Sequence, residues 1–325
     1  MNRFLKTCLA ALLTTMAFAV QDNDAKAQWE PTKPIQFVIM AGKGGGADKM
    51  ARQFIRIIES DEMVPVPIEP VNMPENSGAD ALQFMEKNKG NPYVIMVTLN
   101  SFYTTPINHP ELNIDVTKFT PVGRMAEDTF VLWVNASSGI KTFEQFLTEA
   151  AKKGPEWVMA GTGKNAEDQL LTDFLNTNYN LKMTYKPLKG GGAVAKELVE
   201  NVVNSTVNNP AEADNYYVDG KVIPLVAFTP ERLEVYFDTP TIREKGNNFY
   251  YFMQRSVVAA PGIKADAAAY YAKLFKKVYE SKDWQDYMNF NSLHGTFETG
   301  NGLVDYWGKE RELHRQLLAT VSKTN

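Results

Sequence analysis

Three short segments combine glycine with lysine in a pattern that suits anion binding. They are residues 43–46 (KGGG), 161–164 (GTGK) and 189–192 (KGGG). Each follows an apolar, strand-like run and precedes a helix-like run, and glycine allows the backbone to turn tightly between the two. The first turn of a helix has free N–H groups and a partial positive charge, which favour a bound anion. The three segments therefore predict a site for a small negatively charged ligand.

Neighbouring side chains fit the same chemistry. Asn100, Ser101 and Thr162 offer hydrogen-bond donors to a carboxylate. Tyr103 is suited to forming a wall of the site. Asp48 has two interpretations, since it either stabilises the start of the first helix or accepts a hydrogen bond from the ligand. The predicted ligand-binding residues are Lys43, Gly44, Gly45, Gly46, Ala47, Asp48, Asn100, Ser101, Tyr103, Gly161, Thr162, Gly163, Lys189, Gly190 and Gly191.

A dinucleotide is an alternative ligand for the first segment. Residues 42–47 fit the pattern G-x-G-x-x-G/A. Glu69 follows them in the sequence at about the spacing of the acidic residue that binds the ribose in dinucleotide-binding folds. The phosphate-loop pattern fails, because no Ser or Thr follows Lys43. A glycine run satisfies many patterns, and an exported protein rarely meets free nicotinamide dinucleotide. We therefore favour an anion other than a dinucleotide.

Enzymatic chemistry has little support in the sequence. His109, His294 and His314 lie far apart, and no G-x-S-x-G nucleophile pattern is present. No pair of His or Cys residues has the spacing of metal ligands. We therefore expect no catalytic residues, no cofactor and no metal. The alternative that stays open is an exported enzyme, either a dinucleotide-dependent oxidoreductase or a hydrolase, that acts on a small organic acid.

The N-terminal segment predicts export. Two basic residues precede an apolar run at 8–20, and small residues follow at positions 25 and 27. This order is typical of a signal peptide, with cleavage after Ala27 and a second possibility after Ala19. The apolar run is shorter than the roughly 20 residues that span a bilayer. Cys8, the only cysteine, lies in this segment, so we expect a mature periplasmic protein without disulfides.

The elements that must position these residues alternate between strand-like and helix-like runs. The sequence predicts strands at residues 34–41, 64–71, 93–97, 129–135 and 182–185, and amphipathic helices at residues 47–58 and 142–152. Such alternation predicts an α/β fold. The formal net charge is −4, with both signs interspersed along the chain. This balance is a poor match for nucleic-acid binding.

Several segments, taken in order, resemble a known family. The chain is similar to the periplasmic substrate-binding proteins of tripartite tricarboxylate transporters, also called Bug receptors. The segments that carry the resemblance are Lys33-Pro34-Ile35 with the glycines that follow, Phe119-Thr120-Pro121-Val122, Lys141-Thr142-Phe143, Tyr185-Lys186-Pro187-Leu188-Lys189-Gly190-Gly191, and Asp238-Thr239-Pro240-Thr241 with Glu244 and Gly246. No single segment is specific to this family, but the whole set in this order is specific to it. The set spans most of the mature chain.

The resemblance implies a two-domain, clam-shell α/β architecture with a ligand cleft between the domains. Domain 1 would comprise residues 28–128 and 250–325, and domain 2 residues 129–249. It also implies a non-catalytic, monomeric receptor that binds a small organic acid, a di- or tricarboxylate, and delivers it to membrane permease subunits. The loops of both domains would hold the carboxylate.

Two departures from the family pattern concern the predicted site. Gly42-Lys43 stands where the family has a proline and a small residue. Lys164-Asn165 and Gln169 stand where the family has a serine-rich turn and a histidine. Because both departures fall at predicted ligand contacts, they leave the identity of the organic acid open.

Overall fold

The computed structural model describes residues 29–321, with side chains described through residue 318. The predicted signal segment and both cleavage positions lie outside the described residues. The described chain forms ten strands: β1 (Ile35–Ile39), β2 (Ile68–Asn72), β3 (Val94–Val97), β4 (Thr120–Asp128), β5 (Val131–Asn135), β6 (Val158–Thr162), β7 (Thr184–Leu188), β8 (Ser205–Asn208), β9 (Val222–Ala227) and β10 (Met253–Ala259).

Ten α-helices lie between residues 29 and 321. They are α1 (Gly46–Ser60), α2 (Ala79–Lys87), α3 (Ser101–Asn108), α4 (Phe143–Lys153), α5 (Glu167–Asn178), α6 (Gly191–Val199), α7 (Pro210–Val218), α8 (Ala265–Glu280), α9 (Lys282–Phe290) and α10 (Gly300–Val321). None of these helices is long and apolar enough to cross a membrane.

The strands form two five-stranded sheets of the same design. The first sheet has the order β2-β1-β3-β10-β4, and the second has the order β7-β6-β8-β5-β9. In each, three neighbouring strands run parallel, and the fourth is antiparallel to both of its neighbours. We call the first sheet with α1–α3 and α8–α10 the first lobe, and the second sheet with α4–α7 the second lobe. The predicted two-domain α/β fold is confirmed.

The chain crosses between the lobes twice. It leaves the first sheet at Asp128 and enters the second at Val131, and it returns between Ala227 and Met253. The predicted domain limits at 128/129 and 249/250 fall in these two segments and stay a prediction. The crossings matter for function, because residues just beside them lie where the two lobes face each other.

Apolar packing holds each sheet against its helices. In the first lobe Phe54 of α1 packs with its ring centroid 5.6 Å from Phe275 of α8 and 4.5 Å from Trp284 of α9. In the second lobe the buried Trp133 packs edge-on against Tyr236 at 5.4 Å. Aromatic pairs at these distances add to the stabilisation from burial. The two cores give rigid supports for the loops between the lobes.

Two predicted strands have limits that differ from the observed ones, and strands β4, β8 and β10 and helices α3, α7 and α9 were not predicted. The strand predicted at residues 64–71 begins only at Ile68, because Pro65 and Pro67 have no N–H to donate. The strand predicted at 182–185 runs from Thr184 to Leu188. Helix α3 was not predicted, since Pro106 lies inside it and its apolar residues lack a helical period.

Candidate ligand-binding cleft

The first and third glycine segments face each other across the cleft. A Cβ atom placed on Gly42 would lie 2.6 Å from the Lys189 carbonyl oxygen, and one placed on Gly190 would lie 3.1 Å from Gly42 Cα. Side chains would not fit at such distances, so glycine is what allows the two backbones to approach. The two segments, nearly 150 residues apart in the chain, therefore form one structure.

The second glycine segment closes the same cleft from another side. Thr162 lies at the end of β6, and its backbone N–H donates to Asp168 Oδ2 at 2.6 Å. Ser77 of the first lobe donates from Oγ to the Lys164 carbonyl oxygen at 3.2 Å. All three predicted segments therefore contribute to the contact between the lobes.

A small cavity lies where these segments meet. Its volume is about 30 Å³, which is room for one or two water molecules. A larger depression of about 420 Å³ lies beside Phe252 and His294, but none of the glycine segments lines it. We assign the site to the small cavity. Its polar and charged lining comes from Thr162, Glu167, Asp168, Asn209, Glu212 and Arg255.

The start of helix α1 is bonded to a carboxylate from the opposite lobe. The Gly46 N–H donates to Glu212 Oε1 at 2.9 Å. Glu212 lies in the first turn of α7, where its Oε2 accepts from Asn209 N at 3.2 Å and from Asn208 Nδ2 at 2.9 Å. A Cβ on Gly191 would lie 1.9 Å from Glu212 Cδ, so the glycine makes room for this side chain. The sequence predicted a bound anion at the start of α1. In the structure the carboxylate of Glu212, a residue of the protein itself, occupies that position.

Helix α3 has a similar partner. The carboxylate of Glu167, in the first turn of α5, faces the backbone N–H of Ser101, the first residue of α3, and this N–H opposes the rise in the pKa of Glu167. Glu167 is 5% exposed, and its Oε1 has no hydrogen-bond partner among the described residues. Burial raises the pKa of Glu167. Two helix starts of the first lobe therefore each meet a glutamate of the second lobe.

Asp168 adds a third buried carboxylate beside Glu167. Burial raises the pKa of Asp168 well above its ordinary value, and the charge of Glu212 acts in the same direction. The Thr162 N–H opposes this rise by donating to the carboxylate. The second lobe therefore presents a wall of acidic groups to the cavity.

Arg255 on β10 is the positive charge that lines the cavity. Its Nε and Nη2 donate to Asp128 Oδ2 at 3.0 and 2.5 Å, and Nη2 also donates to Asn209 Oδ1 at 3.0 Å. Arg255 is 1% exposed, and Nη1 finds no partner within residues 29–321. Burial raises the pKa of Asp128, and the Arg255 charge opposes that rise. A buried guanidinium with a free N–H group is suited to holding a carboxylate.

The predicted lysines lie at the rim. Lys43 and Lys189 are both exposed, and the cavity lining comes from other residues of their segments. Their charges therefore act on the cleft through solvent, where salt screens them. Direct contact between these side chains and the cavity, as the sequence suggested, is not what the structure shows.

Asp48 belongs to the interior of the first lobe. Its carboxylate accepts from Gly44 N at 2.9 Å, Arg52 Nε at 3.0 Å and Asn72 Nδ2 at 3.0 Å. Burial raises the pKa of Asp48, but these hydrogen bonds outweigh burial and hold it below its ordinary value. Of its two interpretations, the structure favours the stabilising one.

Asn100 and Tyr103 are polar core residues and not cavity residues. Both are fully buried, and Tyr103 Oη donates to Asn100 Oδ1 at 2.5 Å. Asn100 Oδ1 also accepts from Gln254 N at 2.9 Å, and its Nδ2 donates to the Phe252 carbonyl oxygen at 2.9 Å. Through these bonds the Asn100 amide connects the start of α3 to the residues at the start of β10. Asn100 and Tyr103 therefore have a structural role in this arrangement, and their contact with a ligand stays a prediction.

Sequence reasoning missed four charged residues of the cleft: Glu167, Asp168, Glu212 and Arg255. Glutamate and aspartate are common in the first turn of any helix, so their positions carried no signal of function. The order Asn209-Pro210-Ala211-Glu212 is a capping-box pattern, and the structure confirms that box. Arg255 lies in β10, whose sequence MQRSVVA has three consecutive polar residues, so no apolar pattern marked the strand or its arginine as buried.

Comparison with known proteins places the chain in a family. Residues 51–294 match the model described as tripartite tricarboxylate transporter family receptor. The chain belongs to this receptor family. It is thus a solute-binding receptor and not a member of an enzyme class. The first glycine segment, residues 42–46, precedes the matched range, so its role follows from the geometry above.

The relatives of this receptor have low sequence identity to it, but the similarity extends over about two thirds or more of each chain. The chain is 23% identical over 279 residues to a protein encoded in the gbd 5′ region of Cupriavidus necator, covering 86% of the chain and 84% of that protein. It is 21% identical over 222 residues to protein BugT of Bordetella pertussis, covering 66% and 67%.

Solved structures share the fold at low identity. The periplasmic binding protein BugD superimposes with a TM-score of 0.83 at 16% identity, covering 90% of the chain and 98% of BugD. A protein from R. palustris, solved with adipate, gives 0.82 at 19% identity over 90% of the chain and 98% of its own. MatC from Rhodopseudomonas palustris, solved with bound malate, gives 0.79 at 19% identity, with 89% and 99% covered.

Proposed function

We propose that the protein is exported to the periplasm, binds a small organic acid there and delivers it to the permease subunits of a tripartite tricarboxylate transporter. Membership of the receptor family supports this proposal, as do the two neighbours solved with dicarboxylates. The observation that carries it is Arg255, a buried cation that lines the cavity and whose Nη1 has no hydrogen-bond partner among the described residues. A monomeric state stays a prediction.

The ligand would act by bridging the lobes. Arg255 comes from the first lobe, whereas Thr162, Gly190 and Gly191 come from the second. A ligand that contacts both sides favours the closed arrangement over the open one. Because the cavity is small, a bound acid requires the facing side chains, Glu212 above all, to shift. In this proposal the permease recognises the closed, loaded form.

A dinucleotide fits this cleft poorly. In a dinucleotide-binding turn, the N–H groups at the helix start hold the pyrophosphate. Here the Gly46 N–H is bonded to Glu212. Glu167 and Asp168 also line the cavity, and an ionised carboxylate at either position would repel a pyrophosphate further. The geometry therefore supports a smaller ligand with fewer charges.

Thermal unfolding with a panel of ligands tests the proposal. We expect at least one small organic acid to raise the melting temperature, since a ligand that binds only the folded state stabilises it. A rise in melting temperature with NAD and with none of the acids would contradict the proposal.

The variant Arg255→Lys tests the role of the arginine, because it keeps a cation beside Asp128 but loses the guanidinium fork. We expect this variant to fold and to bind the acid more weakly.

A further inference from the structure

The start of α7 bonds to the first lobe at several neighbouring residues. Each of them accepts one hydrogen bond across the cleft: Asn209 from Arg255, Ala211 from Lys49 and Glu212 from Gly46. Gly46 and Lys49 lie on α1 and Arg255 lies on β10, so all of these donors belong to the first lobe. We call residues 209–212 the α7 latch, because separating the lobes would break every one of these bonds.

Glu212 is held in position by its own lobe. Its Oε2 accepts from Asn209 N at 3.2 Å and from Asn208 Nδ2 at 2.9 Å, and the first of these bonds belongs to the capping box of α7. Gly191 leaves the space that the carboxylate fills. These contacts lie within the second lobe, so opening of the cleft leaves them intact. Oε1 is therefore directed at the first lobe in advance, and closure costs little further ordering of the side chain.

A ligand would affect two bonds of the α7 latch differently. Gly46 lines the cavity, and its N–H lies at the start of α1, where an anion is favourable. A ligand carboxylate at this position would compete with Glu212 for one donor. Lys49 and Ala211 are not lining residues of the cavity, so a ligand there leaves their bond in place.

We propose that Glu212 is a tethered competitor of the ligand and closes the receptor when no ligand is bound. Its carboxylate takes the position at the start of α1 that a ligand carboxylate takes in the loaded form. The latched form and the loaded form then exclude each other, and the latched fraction of molecules lowers the apparent affinity for the ligand. The part of this proposal that concerns affinity rests on the proposed function, and the part that concerns closure does not.

The variant Glu212→Gln breaks the competing contact. A glutamine has one acceptor oxygen, so it cannot accept from Gly46 N and from the Asn209 cap at the same time. Lys49→Met removes a different bond of the α7 latch and leaves Glu212 unaltered. Glu144→Gln is the matched control, because Glu144 also lies in the first turn of a second-lobe helix but is exposed and paired with Lys245.

Small-angle X-ray scattering of the ligand-free protein tests closure. Any co-purified ligand is first removed by dialysis in urea, followed by refolding. We expect Glu212→Gln and Lys49→Met to have a larger radius of gyration than the unaltered protein, since each loses a bond between the lobes. The control Glu144→Gln should keep the radius of the unaltered protein.

Calorimetric titration tests competition. The probes are succinate, malate and adipate, and the titrated acid is the one that raises the melting temperature most. Loss of the Glu212 contact destabilises only the latched form, so we expect Glu212→Gln to bind this acid about tenfold more tightly. The Lys49 bond is present in the latched and the loaded forms, so Lys49→Met should bind the acid no more tightly than the unaltered protein.

The two measurements also distinguish competition from simple repulsion. If Glu212 only repelled the ligand, its loss would raise the affinity but leave the ligand-free radius unchanged, and the proposal would be wrong. An increased radius with unchanged or weaker binding would equally overturn it. Should Glu212→Gln fail to fold, Glu212→Asp replaces it, because this side chain keeps the charge but is one methylene too short to reach Gly46 from α7.

The outcomes separate this inference from the proposed function. If none of the acids binds any of the proteins, the proposed function is wrong, and scattering still decides whether Glu212 closes the lobes. If the acid binds and Glu212→Gln matches the unaltered protein in radius and affinity, the receptor assignment stands and the role of Glu212 is wrong.

Discussion

The two walls of the cleft have opposite chemistry. The first lobe offers donors, namely the Gly46 and Ser101 N–H groups and the Arg255 guanidinium. The second lobe offers carboxylates: Glu212 bonds to the start of α1 across the cleft, and Glu167 faces the start of α3. The lobes therefore attract each other through contacts of their own. A ligand in this cleft must extend or replace contacts that already exist between the walls.

The walls also differ in how they are built. The donors at the helix starts belong to the backbone, which glycine leaves accessible. The carboxylates are side chains in the first turns of α5 and α7. Substitutions can therefore remove the acidic wall one group at a time, whereas the donor wall is exposed to mutation mainly at Arg255.

The largest effect should come from Arg255→Met. This substitution leaves Asp128 buried without its cation, which costs about 3–5 kcal/mol of unfolding free energy. Urea denaturation measures the loss. The double variant Asp128→Asn with Arg255→Met removes both charges and should recover part of it. A loss below about 1 kcal/mol in the single variant would contradict the buried pair.

A second test concerns the polar core behind the donor wall. His314 Nδ1 donates to the Glu310 carbonyl oxygen at 2.7 Å, so Nε2 is free to accept from Tyr251 Oη at 2.6 Å. Burial lowers the pKa of His314 to about 4. Between pH 6.5 and 4 the unfolded chain binds the proton and the folded protein does not, so stability falls as pH falls. Over this whole pH range His314 lowers the free energy of unfolding by about 3 kcal/mol.

His314→Gln should remove this dependence on pH. The difference in unfolding free energy between the variant and the unaltered protein should shrink as pH falls from 7 to 4.5. Comparing the two proteins also cancels the opposite contribution of the buried acids. Parallel curves over this range would show that His314 is accessible to protons in the folded state.

Gly191→Ala should disturb the contact between the walls. The added methyl group would meet the Glu212 carboxylate, so Glu212 must leave Gly46 and the helix cap of α7. We expect a loss of about 1–3 kcal/mol in unfolding free energy. Gly308→Ala is the control, because no atom lies within 4 Å of its added Cβ. It should stabilise α10 by about 0.5–1 kcal/mol.

The smallest effect should come from Lys43→Ala. Because Lys43 is exposed, we expect a change in stability below about 0.5 kcal/mol. Affinity for an acidic ligand should fall by a factor of about two to three at low salt and recover near 0.5 M salt. A tenfold loss that persists at high salt would place the lysine in direct contact with the ligand.

Local patterns were enough to predict much of the frame. Helix α1 has its apolar residues at Met50, Phe54 and Ile58, and all three are buried as that spacing predicts. Thr142 caps α4 by accepting from Gln145 N. Such features depend on neighbours within a few residues, so a single sequence reveals them.

The charged residues of the cleft could not be found in this way. Gly46 and Glu212 are 166 residues apart, and Arg255 is 127 residues from Asp128. In sequence, a glutamate in a first helical turn looks the same whether it faces solvent or another lobe. Asn100 is the reverse case: its position after a strand suggested a ligand contact, and in the folded protein it is buried and bonded to Phe252 and Gln254.

The sequence by itself determined the α/β alternation, the glycine turns at strand ends and the family, because all three follow from local order along the chain. The tertiary structure alone decided which turns meet and which charges face one another. Those contacts depend on how two lobes close over each other, and segments far apart in sequence carry no local sign of that closure. The acidic lining of the cleft is therefore visible only in the folded protein.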